Sequence, residues 1–168
     1  MKTKDIVITI MGLVITQIIL MSTMVFFFGL THPIIELLQL DNLYILVLVA
    51  VLVTPPIYII FGYVFIIGRN QRENLQRSLM FGCLYYSLAL IAIWGLSSIL
   101  AVMEVWPNAW EIYIIANFPT AVTLNSIDIQ RHALNPIFLL TAITPGLFFY
   151  LGGYLRIRSL KAKELIKS

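Results

Sequence analysis

Arg69-Asn70-Gln71-Arg72-Glu73-Asn74-Leu75-Gln76-Arg77-Ser78 stands near the middle of the chain, and no other internal run is as continuously polar. On either side lies a pair of long apolar segments. A helix needs about 20 apolar residues to cross the hydrocarbon core of a bilayer, so this stretch reads as the connection between two transmembrane hairpins. Its three arginines mark the cytoplasmic side, because short basic connections are retained there.

The composition supports that reading. The chain has 168 residues, 60% hydrophobic and 11% charged, against roughly 45–50% apolar residues in a soluble domain. The expected class is an all-α membrane protein, with residues 1–168 forming a single integral membrane domain. The net charge of +3 sits at helix ends, where membrane orientation and anionic headgroups account for it. No nucleic-acid partner is expected. One cysteine, Cys83, excludes an internal disulfide and any two-cysteine redox site; on an apolar helix it reads as a small packing residue.

Upstream of the central stretch, the apolar run 43–68 forms the second span. Thr54-Pro55-Pro56 interrupts it near its middle, where Pro55 removes a backbone donor and predicts a kink or a locally opened backbone. Before it, residues 31–42 hold His32, Glu36 and Asp41 but no lysine or arginine, as an outer loop should, and Asp41-Asn42 offers a helix cap. The first span, 6–30, follows the basic start Met1-Lys2-Thr3-Lys4. It is longer than the apolar core of a secretory signal and lacks a small-residue cleavage site, so it is kept as a helix with its N-terminus inside. Thr9, Gly12, Thr16 and Thr23 form one helical stripe with Gln17 beside it, a pattern expected to pack against other helices.

Downstream, the third span covers 79–103, with Ser87, Ile91, Gly95 and Ser98 on a packing face. Glu104 ends it on the outer side. Trp106, Trp110 and Tyr113 then have the spacing of an aromatic belt at the headgroup level and predict a short interfacial helix, with Pro107 in its first turn and Pro119 at its end. Residues 120–134 have no assignable structure. The fourth span, 136–155, is preceded by Asn135 as a cap. It passes through Thr144-Pro145-Gly146 and exits into Arg156, Arg158, Lys161, Lys163 and Lys167. The inner segments thus hold ten of the eleven Lys and Arg residues and leave only Arg131 outside, which places both termini in the cytoplasm.

The second and fourth spans share a pattern. Thr54, Pro55 and Gly62 in one match Thr144, Pro145 and Gly152 in the other, with proline and glycine seven residues apart in each. That is close to two helical turns and puts the break and the close-approach glycine on one face. It predicts a parallel internal repeat of two hairpins. In transporters, broken helices of this kind frame midplane sites.

Two outer patterns have ligand-like spacing. His32 and Glu36, and Asp128 and His132, each place an imidazole and a carboxylate four residues apart, on one face if helical. Pro33 disturbs the first pair and the second lies in the unassigned stretch, so no metal is expected, and no catalytic or cofactor-binding residue is assigned. No ionisable residue lies in the centre of any span, which argues against a proton-driven carrier and against the small multidrug exporters with their intramembrane glutamate. The single thiol excludes a quinone-linked thiol oxidoreductase. There is no Gly-x-Ser-x-Gly, no His-Glu-x-x-His and no glycine-rich phosphate loop.

The expected function is therefore that of a non-enzymatic accessory or assembly subunit in the cytoplasmic membrane. Its partners would be the lipid bilayer and another membrane protein or a second copy of the chain. The alternative is a small transporter, or a subunit of one, for an apolar or amphipathic compound.

Overall fold

A computed structural model describes residues 3–28, 52, 54–66, 74–106, 108–117 and 137–167. Within these residues the secondary structure is helical and without strands. Helix α1 is Thr3–Phe28, α2 is Thr54–Phe65, α3 is Leu75–Val102, α4 is Trp110–Ala116 and α5 is Ile137–Lys167.

The helix ends differ from the spans read in the sequence. The end of the central polar stretch belongs to α3, because Leu75 and Ser78 are buried and a helix continues wherever its apolar face still has something to cover. Asn74 precedes α3 in the left-handed region, φ 64°, and its carbonyl accepts from the Ser78 N–H at 3.0 Å. At the other end Glu104 is also left-handed, φ 56°. There the N–H groups of Glu104 and Trp106 bond to the carbonyls of Ala101 and Leu100, both at 3.2 Å, which satisfies the last turn and reverses the chain. Helix α5 runs past its apolar part through the basic exit to Lys167.

Four spans were expected, but among the described residues two helices are long and apolar enough to cross a membrane: Thr3–Thr23 and Leu75–Val102. Of the second expected span, α2 is the part described as α-helix, 12 residues long. In α5 the residues from Ile137 to Leu155 carry no charge, and the basic exit begins at Arg156.

The prolines likewise play different parts. Pro55 and Pro56 lie in the first turn of α2, where a missing N–H is harmless, and Leu52 just before is π-helical, a local opening of the backbone. Pro145 lies inside α5. Beside it, Thr144 Oγ1 donates to the Leu140 carbonyl at 2.7 Å.

Close contacts fix the helix directions. Gly12 of α1 faces the ring of Phe65, while Gln17, further along α1, meets Tyr58, so α1 and α2 run antiparallel. Gly82 of α3 faces Thr9 of α1, and Gln17 and Met21 share a groove with Tyr86 and Ile93, so α1 and α3 run parallel. Gly146 of α5 faces Cys83 and Gly153 faces Leu79, which makes α5 antiparallel to α3 and therefore parallel to α2.

The α2/α5 pair has the most extensive helix contact. A side chain at Gly62 would strike the backbone of Phe149, and one at Gly152 would strike the backbone of Ile59. Such close approach is open only to glycine and is what holds helices together where apolar burial gives no net drive. Phe65 and Phe149 stack beside the crossing, ring centroids 5.4 Å apart and tilted by 58°. Nearer the ends of the apolar segments, Arg156 Nη1 donates to Tyr63 Oη at 3.2 Å, with its guanidinium 5.2 Å from the centre of that ring.

The small-residue stripe of α1 packs as expected at Thr9, Gly12 and Thr16, while Thr23 is only half-buried. Thr9 and Thr16 are buried, and their hydroxyls donate to the carbonyls of Asp5 and Gly12 at 2.9 and 2.8 Å. Each hydroxyl is satisfied within its own helix, and the methyl of Thr9 lies against Gly82. On α3, Ser87, Ser98 and Cys83 are buried. Gly95 is not part of that face: a side chain there would meet nothing within 4 Å. The packing face instead follows Leu79, Cys83, Tyr86, Leu90 and Ser97.

Candidate functional site: a neutral polar cluster beneath helix α4

Gln17 is buried on α1. Its Oε1 accepts a hydrogen bond from the hydroxyl of Tyr58 on α2. Its Nε2 donates to the carbonyl of Ala116, at the end of α4, over 3.4 Å. One amide therefore joins three helices. Tyr58 is fully buried, so the phenol has no water to fall back on and the amide is its alternative to an unpaired group. Thr54, Tyr58 and Gly62 are all buried, four residues apart. This stripe, read in the sequence, would have placed Tyr58 inside; neither tyrosine nor glutamine carries a charge to draw notice.

A second set of bonds anchors α4. Asn117 is fully buried, and its Nδ2 donates to Tyr113 Oη at 3.0 Å. Tyr113 Oη lies 2.6 Å from Thr141 Oγ1 of α5. With its oxygen already accepting from Asn117, the phenol has its proton free for Thr141. Burial raises the pKa of Tyr113 above the ordinary phenol value, and the bonds to Thr141 and Asn117 offset part of the rise.

This corrects the reading of the aromatic triplet as a belt. Trp106 is 52% exposed, but Tyr113 is only 2% exposed and turned inward. The interfacial helix itself is present, as Trp110–Ala116. In so short a helix one face must bury something, and Tyr113 with Ala109 and Ile114 fills the space over α3 and α5.

Beside the cluster lies a groove of 270 Å³. Val14, Gln17, Ile18 and Met21 of α1 form one wall, Tyr86, Ala89, Leu90 and Ile93 of α3 the other, and Ile115 and Ala116 of α4 close one end. Each long helix contributes positions i, i+3, i+4 and i+7, a single face over two turns, so the groove runs along both helices for about 10 Å.

The residues read as ligand pairs, His32 with Glu36 and Asp128 with His132, lie outside the described residues. So do Asp41-Asn42, Pro107, Pro119 and Asn135. Among the described residues no three His, Cys, Asp or Glu side chains gather in a way that would hold a metal ion. Cys83 is buried without a disulfide partner. The polar groups of this cluster are amides, phenols and hydroxyls, and each of their bonds joins one helix to another or closes the end of α4. Comparison with protein-family models, curated proteins and solved structures finds no match, so what this chain does must be argued from its own side chains.

Proposed function

We propose that the chain is a non-catalytic accessory or assembly subunit of a membrane complex. It crosses the cytoplasmic membrane four times, as two hairpins of the same orientation, with both termini in the cytoplasm. Two helices have spanning length and apolarity. The alternation of α1 and α3 in one direction with α2 and α5 in the other is what two like-oriented hairpins require. The match of Gly62 with Gly152 across the α2/α5 crossing supports a parallel repeat, and the gathering of basic residues at one set of ends supports the orientation.

The observation that carries the functional reading is the character of the cluster around Gln17, Tyr58, Tyr113, Asn117 and Thr141. It knits four helices together and contains no carboxylate, imidazole or ammonium. The outward faces are large and apolar: Val7, Met11, Ile15 and Ile18 on α1, and Leu84, Leu88, Leu96 and Ile99 on α3, are exposed. Such faces suit lipid tails and the helices of a partner protein. The transporter reading is weaker here, because α2 and α5 meet backbone to backbone at Gly62 and Gly152 and so frame no opening at their crossing.

Extraction in a mild detergent, followed by identification of what copurifies, tests the proposal. A stoichiometric membrane protein, or a stable homo-oligomer, supports it. A chain that stays monomeric and moves a solute across vesicle membranes would replace it with the transporter reading.

A further inference from the structure

We propose that the groove between α1 and α3 is a binding site for one neutral, long-chain lipid molecule, held by a hydrogen bond between an uncharged oxygen of the lipid and the hydroxyl of Tyr86. The occupant follows from four features of the groove. Its walls are almost wholly aliphatic, and no charged side chain lines them. A carboxylate or ammonium would lose its hydration there without gaining a counter-ion. The volume of 270 Å³ equals about nine water molecules at liquid density. An apolar space of this kind is not held open by water, which needs polar partners on several sides. It follows two parallel helix faces for about 10 Å, a run that takes part of an extended chain lying along the helices.

Tyr86 supplies the polar end. It is 8% exposed and lines the groove, yet its hydroxyl has no hydrogen-bond partner among the described residues. Nearby Tyr58 donates to Gln17, and the Tyr86 phenol, on the groove wall beside that pair, brings a donor and an acceptor that neither of them takes up. An alcohol, ester or ketone oxygen meets that need without a charge. The mouth of the groove lies among the outward residues Val14, Ile18 and Ile115, all exposed. A lipid would therefore enter sideways, from the bilayer, without crossing a polar surface. The proposal rests on the membrane reading above but not on the accessory role.

The test uses the full-length protein in nanodiscs and a photoactivatable long-chain alcohol, with mass-spectrometric mapping of the labelled peptides. Labelling is expected on Val14–Met21 and Tyr86–Ile93. Ala89→Phe, which fills the groove from an exposed position, should lower it at least tenfold, whereas Leu88→Phe on the neighbouring outward face should leave it unchanged. Tyr86→Phe removes one hydrogen bond and should weaken competition by an unlabelled alcohol about 2- to 12-fold, the range for a neutral bond. The corresponding hydrocarbon should compete more weakly than the alcohol, and the carboxylate at pH 8 more weakly still.

Equal labelling of wild type and Ala89→Phe, spread over the outward faces, would overturn the proposal. So would a carboxylate that competes best. Should Ala89→Phe fail to fold, the ranking of competitors against wild-type protein still decides the matter. If neither a protein partner nor a stable homo-oligomer is found while the groove is labelled, the accessory reading fails and this one stands. If the chain does not enter nanodiscs at all, both fail.

Discussion

Gly62 and Gly152 take reciprocal places at one helix crossing: each lies against the backbone of the residue three positions before the other, Phe149 for Gly62 and Ile59 for Gly152. Backbone cannot move aside as a flexible side chain can. Gly62→Ala and Gly152→Ala should each destabilise the bundle by about 1–3 kcal/mol, the usual cost of overpacking. Because either change pushes the same two helices apart, the second should cost less than the first. Gly95→Ala is the control, since its methyl meets open space; it should be neutral or stabilising by up to about 1 kcal/mol. Thermal unfolding in detergent reads all four variants.

The Gln17–Tyr58 pair makes a different prediction. Tyr58→Phe leaves the amide oxygen of Gln17 buried and unpaired, which costs about 1–3 kcal/mol. Gln17→Leu strands the phenol in the same way and also frees α4 from α1. The double variant removes both polar groups and should be more stable than the sum of the single changes predicts. Strict additivity in a double-mutant cycle would mean that the two groups do not depend on each other.

Tyr113 gives a pH dependence. Its folded pKa is raised, chiefly by burial, so the folded state holds the phenol proton more tightly than the unfolded chain does. The contribution is complete below the unfolded value near pH 10 and is lost as the pH rises through the higher folded value. Melting temperature should therefore fall more steeply above pH 10 in wild type than in Tyr113→Phe. Parallel curves for the two proteins would contradict the inward placement of this ring.

The four-span topology predicts which positions an impermeant thiol reagent reaches in intact cells. In a Cys83-free background, cysteines replacing Asp41 and Asn125 should label, and those replacing Lys4, Arg72 and Lys163 should label only after the membrane is opened. Native Cys83 is buried, so it should itself be shielded from the reagent in the folded protein. Labelling at position 72 in intact cells would break the chain's division into two hairpins.

The sequence made the helical class legible, because nothing but apolar helices accounts for such long uncharged runs. It also made the inward stripe of α1 legible, since the period of Thr9, Gly12 and Thr16 is the period of a helix. What it hid were the partners. Gln17 and Tyr58 are 41 residues apart, and only the antiparallel packing of α1 on α2 brings them together. Tyr113 looked like a belt residue because spacing reports which residues share a helix, while the neighbours decide which side is buried. Gly95 looked like a packing residue because small size permits close approach without requiring it. The Thr-Pro pairs are alike in sequence yet differ in structure among the described residues, Pro55 lying in the first turn of α2 and Pro145 inside α5.

The self-bonded threonines of α1 bear on the order in which the protein is made. A hydroxyl that donates to its own helix has no claim on the rest of the chain, so under the four-span reading α1 can leave the ribosome and enter the bilayer with Thr9 and Thr16 already satisfied. Gln17 is the exception on that helix. Its oxygen waits for Tyr58 and its nitrogen for Ala116, groups synthesised well after it, so the amide stays unpaired in a newly inserted first helix until α2 and α4 pack against it.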